Sequence, residues 1–277
     1  MIIIHIFNMK KLFLTIILVL FLSSIVFATD YFTSTFESGN LTEWSGGSET
    51  NGTGNTIAAD ADAANTGSYG CKVVIASAGK ARVWKDLGSD KSEIYYRFYI
   101  KWSSVSMGNG EIFNLVNSWN SSWGDCVQIR FGYSTTEYYI WARQELDSGN
   151  VKLPGYLSSG YDITSEVEDG EWHCIEYHFK AGTGANGIIE LFVDGVDVAG
   201  GTDNYDMDTK RFEHLTLGTD GTDANTTATL YFDDVIISDT YNGPTSSIKT
   251  INGLAKASVK TINGLAIGSV KTWNGLE

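Results

Sequence analysis

The chain has 277 residues, 43% apolar and 13% aromatic, with 30 Gly and only 2 Pro, which is material for a single core of about 200 residues. Its formal charge is 19 − 33 = −14, or 17 − 33 = −16 once Lys10 and Lys11 leave with an N-terminal leader. Phosphate binding needs clustered Lys and Arg, so nucleic acid is excluded as the expected partner, and polyanionic glycans meet repulsion unless a local basic patch overrides it.

In chain order, Met9-Lys10-Lys11 is a positive n-region, Leu12 to Val26 an apolar run, and Val26-Phe27-Ala28 a small-residue cleavage site. Residues 1–28 therefore read as a secretory signal peptide, and the mature protein is expected to be secreted or at the cell surface. Met1 to Asn8 reads as an upstream extension, and an uncleaved anchor is the alternative, although the apolar run is shorter than the ~20 residues of a membrane span.

Residues 30–243 read as one β domain. The runs FESGNLTEW (Phe36 to Trp44), GSYGCKVVIA (Gly67 to Ala76) and YYRFYIKW (Tyr95 to Trp102) are short and β-prone. Period-2 alternation places Arg97, Tyr99 and Lys101 on one face of the strand from Ile94, Gln128 and Arg130 on one face of the strand from Cys126, and Tyr139, Trp141 and Arg143 on one face of the strand from Glu137. In Trp172 to Lys180, His173, Ile175, Tyr177 and Phe179 point one way while Cys174, Glu176 and His178 point the other. Ile188 to Val193 is its hairpin partner, followed by Asp194-Gly195, a dipeptide suited to a two-residue turn with positive φ. LYFDDVIIS (Leu230 to Ser238) closes the domain.

Cys71, Cys126 and Cys174 allow at most one intramolecular bridge; Cys126 and Cys174 could pair across strands, or all three could be buried thiols. Glycosylation sequons occur at Asn40, Asn51, Asn120 and Asn225.

After Pro244 the composition changes. Residues 247–277 repeat with a period of 11, SIKTINGLAKA, SVKTINGLAIG and SVKTWNGLE, each centred on Asn-Gly and each reading as a small β-hairpin. The tail carries Lys249, Lys256, Lys260 and Lys271 against Glu277, net +3, whereas residues 30–246 carry 13 − 32 = −19. Self-association or attachment to a surface follows as an expectation, with a passive tail as the alternative.

The five β segments quoted resemble, in order and spacing, the concanavalin A-like lectin/glucanase superfamily, in particular its laminin-G-like and polysaccharide-lyase-like branches. The resemblance covers roughly residues 31–241. It implies an all-β fold, a two-sheet antiparallel jelly-roll sandwich whose concave face takes glycans. If the middle strands are neighbours in one sheet, Arg97, Tyr99, Gln128, Arg130, Tyr139, Trp141, Arg143, Glu176 and His178 line that face. Sugars suit such a mixture, since aromatic faces stack on C–H surfaces and Arg, Gln and Glu satisfy hydroxyl pairs.

The expected function is glycan binding. A polysaccharide lyase is the first alternative, with His178 or Tyr139 as base and Arg143 and Gln128 neutralising a uronate. A structural surface or virion decoration protein is the second. The closely spaced carboxylates of the superfamily's hydrolases are absent, and Asp194, four residues after Glu190, is better explained as a turn residue. The resemblance also implies a structural calcium joining the chain ends through Glu37 and Asp233 or Asp234, and Asp60, Asp62 and Asn65 form a looser acidic cluster.

Overall fold

The computed structural model describes residues 28–184, 186–199 and 202–244, and in the tail the backbone of four two-residue strands. With strands numbered in chain order, the back sheet contains β1 (Asp30–Ser34), β3 (Thr56–Asp60), β4 (Gly70–Ile75), β6 (Glu93–Ser106), β12 (His173–Lys180), β13 (Gly187–Val193), β14 (Val196–Asp197), β15 (Thr202–Tyr205) and β17 (Thr227–Ser238). Its order is β14-β13-β12-β6-β17-β4-β3, with β1 on β17 and β15 on β13. The front sheet contains β2 (Ser48–Asn51), β5 (Gly79–Lys91), β7 (Ile112–Trp119), β8 (Asp125–Ser134), β9 (Glu137–Glu145), β10 (Asn150–Leu153), β11 (Tyr161–Asp162) and β16 (Phe212–Thr222). Its order is β10-β9-β8-β7-β16-β5-β2, with β11 on β9. All pairings are antiparallel, and one short helix, α1 (Thr164–Glu168), lies beside β9. The chain is thus the two-sheet antiparallel jelly-roll sandwich expected from its sequence.

Alternation explains the core. Tyr96, Phe98 and Ile100 of β6 and Ile175, Tyr177 and Phe179 of β12 face inward to meet Phe113, Ile129, Phe131, Leu215 and Leu217 of the front sheet, all of them buried. Rings interlock across the layers, with Trp102 and Phe131 centroids 5.9 Å apart and Phe179 and Phe212 4.6 Å apart. Two buried phenols pin the sheets together: Tyr96 Oη donates to Thr216 O at 3.0 Å, and Tyr177 Oη donates to Gln144 Oε1 at 2.6 Å.

The β13–β14 turn takes the expected form, with φ of 50° at Asp194 and 80° at Gly195. Asp194 does more than turn the chain. Its carboxylate accepts from Cys174 N at 2.8 Å and meets His173 Nδ1 at 2.7 Å, while Asp169 meets His173 Nε2 at 3.2 Å. Burial opposes charge on this imidazole, but the two carboxylates outweigh it and lift its pKa from 6.5 to about 9. A raised folded-state pKa means stabilisation that is complete below about pH 6.5 and lost as pH climbs through about 9. Chemical denaturation across that window should show wild type losing stability more steeply than His173→Gln; parallel curves would remove the His173 clamp from the pH dependence.

Cys71, Cys126 and Cys174 are free and buried. Cys126 lies in β8 of the front sheet and Cys174 in β12 of the back sheet, and each is a free thiol, so the bridge considered between them is not present. Burial lifts the Cys126 thiol to about 11 and the Cys174 thiol to about 12, which keeps both protonated and inert. In the tail, β18 (Thr250–Ile251) pairs β19 (Leu254–Ala255), and β20 (Thr261–Ile262) pairs β21 (Leu265–Ala266), each hairpin flanking an Asn-Gly. The third repeat and residues 1–27 of the leader lie outside the described residues, and among those residues no helix is long and apolar enough to cross a membrane.

Candidate functional site

Residues paired directly across antiparallel strands share a face, so the register of the front sheet spells out its outer surface. Gln128 pairs with Arg143 on β9 and with Asn117 on β7. Thr216 Oγ1 accepts from Asn117 N at 2.7 Å, and Thr216 pairs with Trp84 on β5. Arg143, Gln128, Asn117, Thr216 and Trp84 therefore form a transverse row over five strands, four interstrand steps or about 19 Å long. Trp141, Arg130 and Asn114 run alongside it, ending at Asp220, which takes Arg82 at 2.7 Å.

At one end of this row two guanidiniums converge on a single amide oxygen. Arg130 Nε donates to Gln128 Oε1 at 3.0 Å and Arg143 Nη1 donates to the same atom at 3.3 Å. Arg143 is also paired with Glu145, whereas Arg130 has no carboxylate within ion-pair distance among the described residues. Burial, and then the charge of Arg143, pull the Arg130 pKa down: the charge is poorly compensated where it stands. Lys152 pairs with Arg143 from β10. Together they form the local basic patch that an acidic chain needs before it can approach an anion.

The aromatic residues divide differently from the expectation. Trp141 is fully buried, a floor rather than a platform, and its Nε1 makes no hydrogen bond among the described residues. Tyr156, 45% exposed, stands edge-on to it at 5.5 Å and supplies the accessible ring. Tyr139 is buried beside them and its hydroxyl donates to Glu137; that bond, then burial, raises its pKa to about 12.

The sequence-derived set does not lie on one surface. Arg97, Tyr99, Glu176 and His178 belong to β6 and β12 of the back sheet, while Gln128, Arg130, Tyr139, Trp141 and Arg143 belong to β8 and β9 of the front sheet. The back group is also covered. After β17 the chain folds over it, so that Glu176 accepts from Gly243 N at 2.7 Å and Asn242 N at 2.8 Å, and Arg97 donates to Gly243 O and Asp234 O, each at 3.1 Å. His178 is buried between Glu190 at 2.6 Å and Glu93 at 3.2 Å and stacks on Tyr95. Glu176 and Arg97 clasp the C-terminal segment while His178 is held by its neighbours within the back sheet, and the assumption that all the polar strands are neighbours is corrected.

Sequence reasoning missed Asn117, Trp119, Trp84, Trp123, Tyr156 and Lys152. Register shifts between Asn114 and Val116 and between Asn117 and Trp119 break the period of 2 in β7, and Trp123 and Tyr156 sit in loops. The dense Trp and Asn content of Asn114 to Trp123 is the signal that could have pointed there.

The expected metal ligands all grip the loop 65–69. Asp233 Oδ2 accepts from Asn65 N at 2.8 Å and Thr66 N at 3.1 Å, and its Oδ1 accepts from Asp234 N at 2.8 Å. Burial nevertheless raises its pKa to about 6. With N–H donors on both oxygens, Asp233 does not fit a cation. Glu37 is engaged in the same way, with Ser68 N on both its oxygens at 2.8 and 3.0 Å and Tyr69 N at 2.9 Å, whereas Asp234 binds only the side chains of Thr66 and Asn65, so Asp234 is the member of the set with capacity for a hard ion. The looser cluster is neutralised by Lys72, 3.4 Å from Asp60 and 3.8 Å from Asp62.

No family model and no curated protein sequence matches the chain. Solved structures share its fold. An endo-β-1,4-glucuronan lyase from the fungus Trichoderma reesei is 15% identical with a TM-score of 0.55, covering 76% of this chain and 96% of that one. The cellulose induced protein Cip1 is 19% identical with a TM-score of 0.56, covering 77% and 100%. The globular domain of T. cruzi calreticulin is 14% identical with a TM-score of 0.50, covering 77% and 89%.

Proposed function

We propose that this chain is an exported glycan-binding protein that holds an acidic polysaccharide on the outer face of its front sheet. The observation that carries the reading is the half-buried Arg130 guanidinium, without a carboxylate partner among the described residues, beside Arg143 and Gln128. A uronate carboxylate is a planar acceptor that such a fork binds in bidentate fashion. Tyr156 offers an exposed ring next to that fork, and one solved protein of this fold acts, by its name, on a polyuronate.

Gln128, Arg130, Arg143 and Tyr139 are also the groups of a β-elimination reading, which lacks its base. Tyr139, with a pKa of about 12, stays protonated at neutral pH, and His178 is in the other sheet. The remaining histidine of this face, His214, is on β16, two strands from Gln128. Binding without bond cleavage fits these positions better. The basic tail, beside a strongly acidic domain, suits attachment or self-association, which raises avidity for a repetitive chain.

The test is a panel of alginate, β-1,4-glucuronan, pectate, cellulose and xylan against the full-length secreted protein. Retention of an acidic polymer with no rise in unsaturated-uronate absorbance is expected; absorbance growth would make the protein a lyase, and failure to retain any acidic polymer would reject the reading.

A structural calcium centred on Asp234, the least engaged of the expected ligands, belongs to the same proposal. Chelation should then lower the melting temperature, because an ion bound only by the folded state contributes about 2.7 kcal/mol at a hundredfold excess over its Kd. Asp234→Ala should melt identically with and without chelator; wild type behaving that way would remove the ion.

A further inference from the structure

Opposite the guanidinium pair, the same face ends in an aromatic cluster that the proposed function leaves unused. Trp123 is 60% exposed, the most exposed tryptophan among the described residues. It sits in the left-handed region at φ 62°, and the loop that carries it is tied down: Asn120 Oδ1 accepts from Ser122 N at 3.0 Å and Gly124 N at 2.9 Å, and Ser121 binds Asp90. The indole stacks on His214 with centroids 4.3 Å apart and planes 9° apart, and Trp84 and Trp119 each approach it at 6.2 Å. Gly46 lies against the Trp84 ring, so close that a Cβ there would fall 1.4 Å from Nε1. A large apolar ring is held out in water by a fixed loop rather than folded away.

Two buried polar atoms near the cluster make no hydrogen bond among the described residues. Asn117 is 5% exposed and its Oδ1 makes no hydrogen bond among the described residues, although its Nδ2 donates to Asp220 at 2.5 Å. His214 is 7% exposed and its Nδ1 makes no hydrogen bond among the described residues, with the Asp86 carboxylate 4.0 Å away. Buried polar atoms are normally satisfied, so the Asn117 amide oxygen is an acceptor left without a donor just beneath this face. A flat exposed ring beside an unsatisfied amide acceptor suits one face of a pyranose, with its C–H surface on the indole and its hydroxyls toward Asn117.

Resting on the glycan-binding reading, we infer that Trp123, with Trp84, Trp119 and His214, is a second sugar subsite that stacks an uncharged pyranose face. The transverse row from Arg143 through Gln128, Asn117 and Thr216 to Trp84 joins it to the anion subsite. The ligand is then an internal stretch of chain lying across the strands over about 19 Å, anchored by charge at one end and by stacking at the other.

Calorimetry on the full chain with β-1,4-glucuronate and cello-oligosaccharides of two to six units tests this. Wild type should gain affinity with length and plateau once both subsites are filled. Trp123→Ala should lose that gain, about tenfold for the longest glucuronate oligomer, while binding the disaccharide as wild type does; Trp123→Phe should recover most of it. Arg143→Ala should instead weaken every glucuronate length. A Trp123→Ala protein that binds the hexamer as tightly as wild type overturns the platform even if Arg143→Ala is defective. If wild type binds none of the oligomers, the platform and the glycan-binding reading fall together.

Discussion

Replacing Arg130 and Arg143 together by Ala is expected to weaken binding of an acidic polysaccharide by about a hundredfold or more, with the melting temperature shifted by only a few degrees. Each guanidinium offers charge-assisted hydrogen bonds to a carboxylate, worth about 1.5–3 kcal/mol apiece, and two such losses correspond to at least that factor. Stability should hardly change, because both side chains lie on the outer face and, among the described residues, Arg130 is held by Gln128 alone while Arg143 has Gln128 and Glu145. Residual binding should also become less sensitive to salt, since the screened term has been removed. Lys at both positions should restore only part of the affinity, because it keeps the charge and lacks the fork. Equal titrations for wild type and the double Ala variant would place the ligand elsewhere.

Glu176→Ala has the opposite signature, a large loss of stability with the ligand face untouched. Glu176 is fully buried and receives Gly243 N and Asn242 N, and Arg97 is buried beside it with an Nε that has no partner among the described residues. Removing the carboxylate strands both amides and leaves a buried guanidinium uncompensated, a change that costs about 3–5 kcal/mol. Glu176→Gln, which keeps an acceptor, should cost less. The midpoint of urea denaturation reads both effects; an unchanged midpoint for Glu176→Ala would mean that the C-terminal segment is not clasped by this residue.

The sandwich was legible because its strands carry their burial in a period of 2: Tyr96, Phe98 and Ile100, or Ile175, Tyr177 and Phe179, announce an inner face without any knowledge of their neighbours. The Asp194-Gly195 turn was legible from local backbone preference. The site was only half legible. Alternation says that Arg97 and Arg143 face away from the core, but which sheet each joins depends on long-range pairing: β6 lies between β12 and β17, and β9 between β8 and β10. Nor does alternation reveal that the segment after β17 returns to cover the back face, which turned Arg97 and Glu176 from candidate ligand contacts into structural ones, or that Glu190 and Glu93 enclose His178. Asn117 and Trp119 were hidden by irregular register in β7, and Trp123 by a loop whose conformation depends on Asn120 and Asp90.

The two faces can be separated by amide hydrogen exchange on the full chain, with and without a polysaccharide retained in the panel. Slower exchange on binding is expected in the loops 120–124 and 154–160, which carry Trp123 and Tyr156 on the front face, with residues 239–244 over the back sheet unchanged. Protection confined to 239–244, with the two front loops exchanging as in the free protein, would contradict the assignment of the ligand to the front sheet.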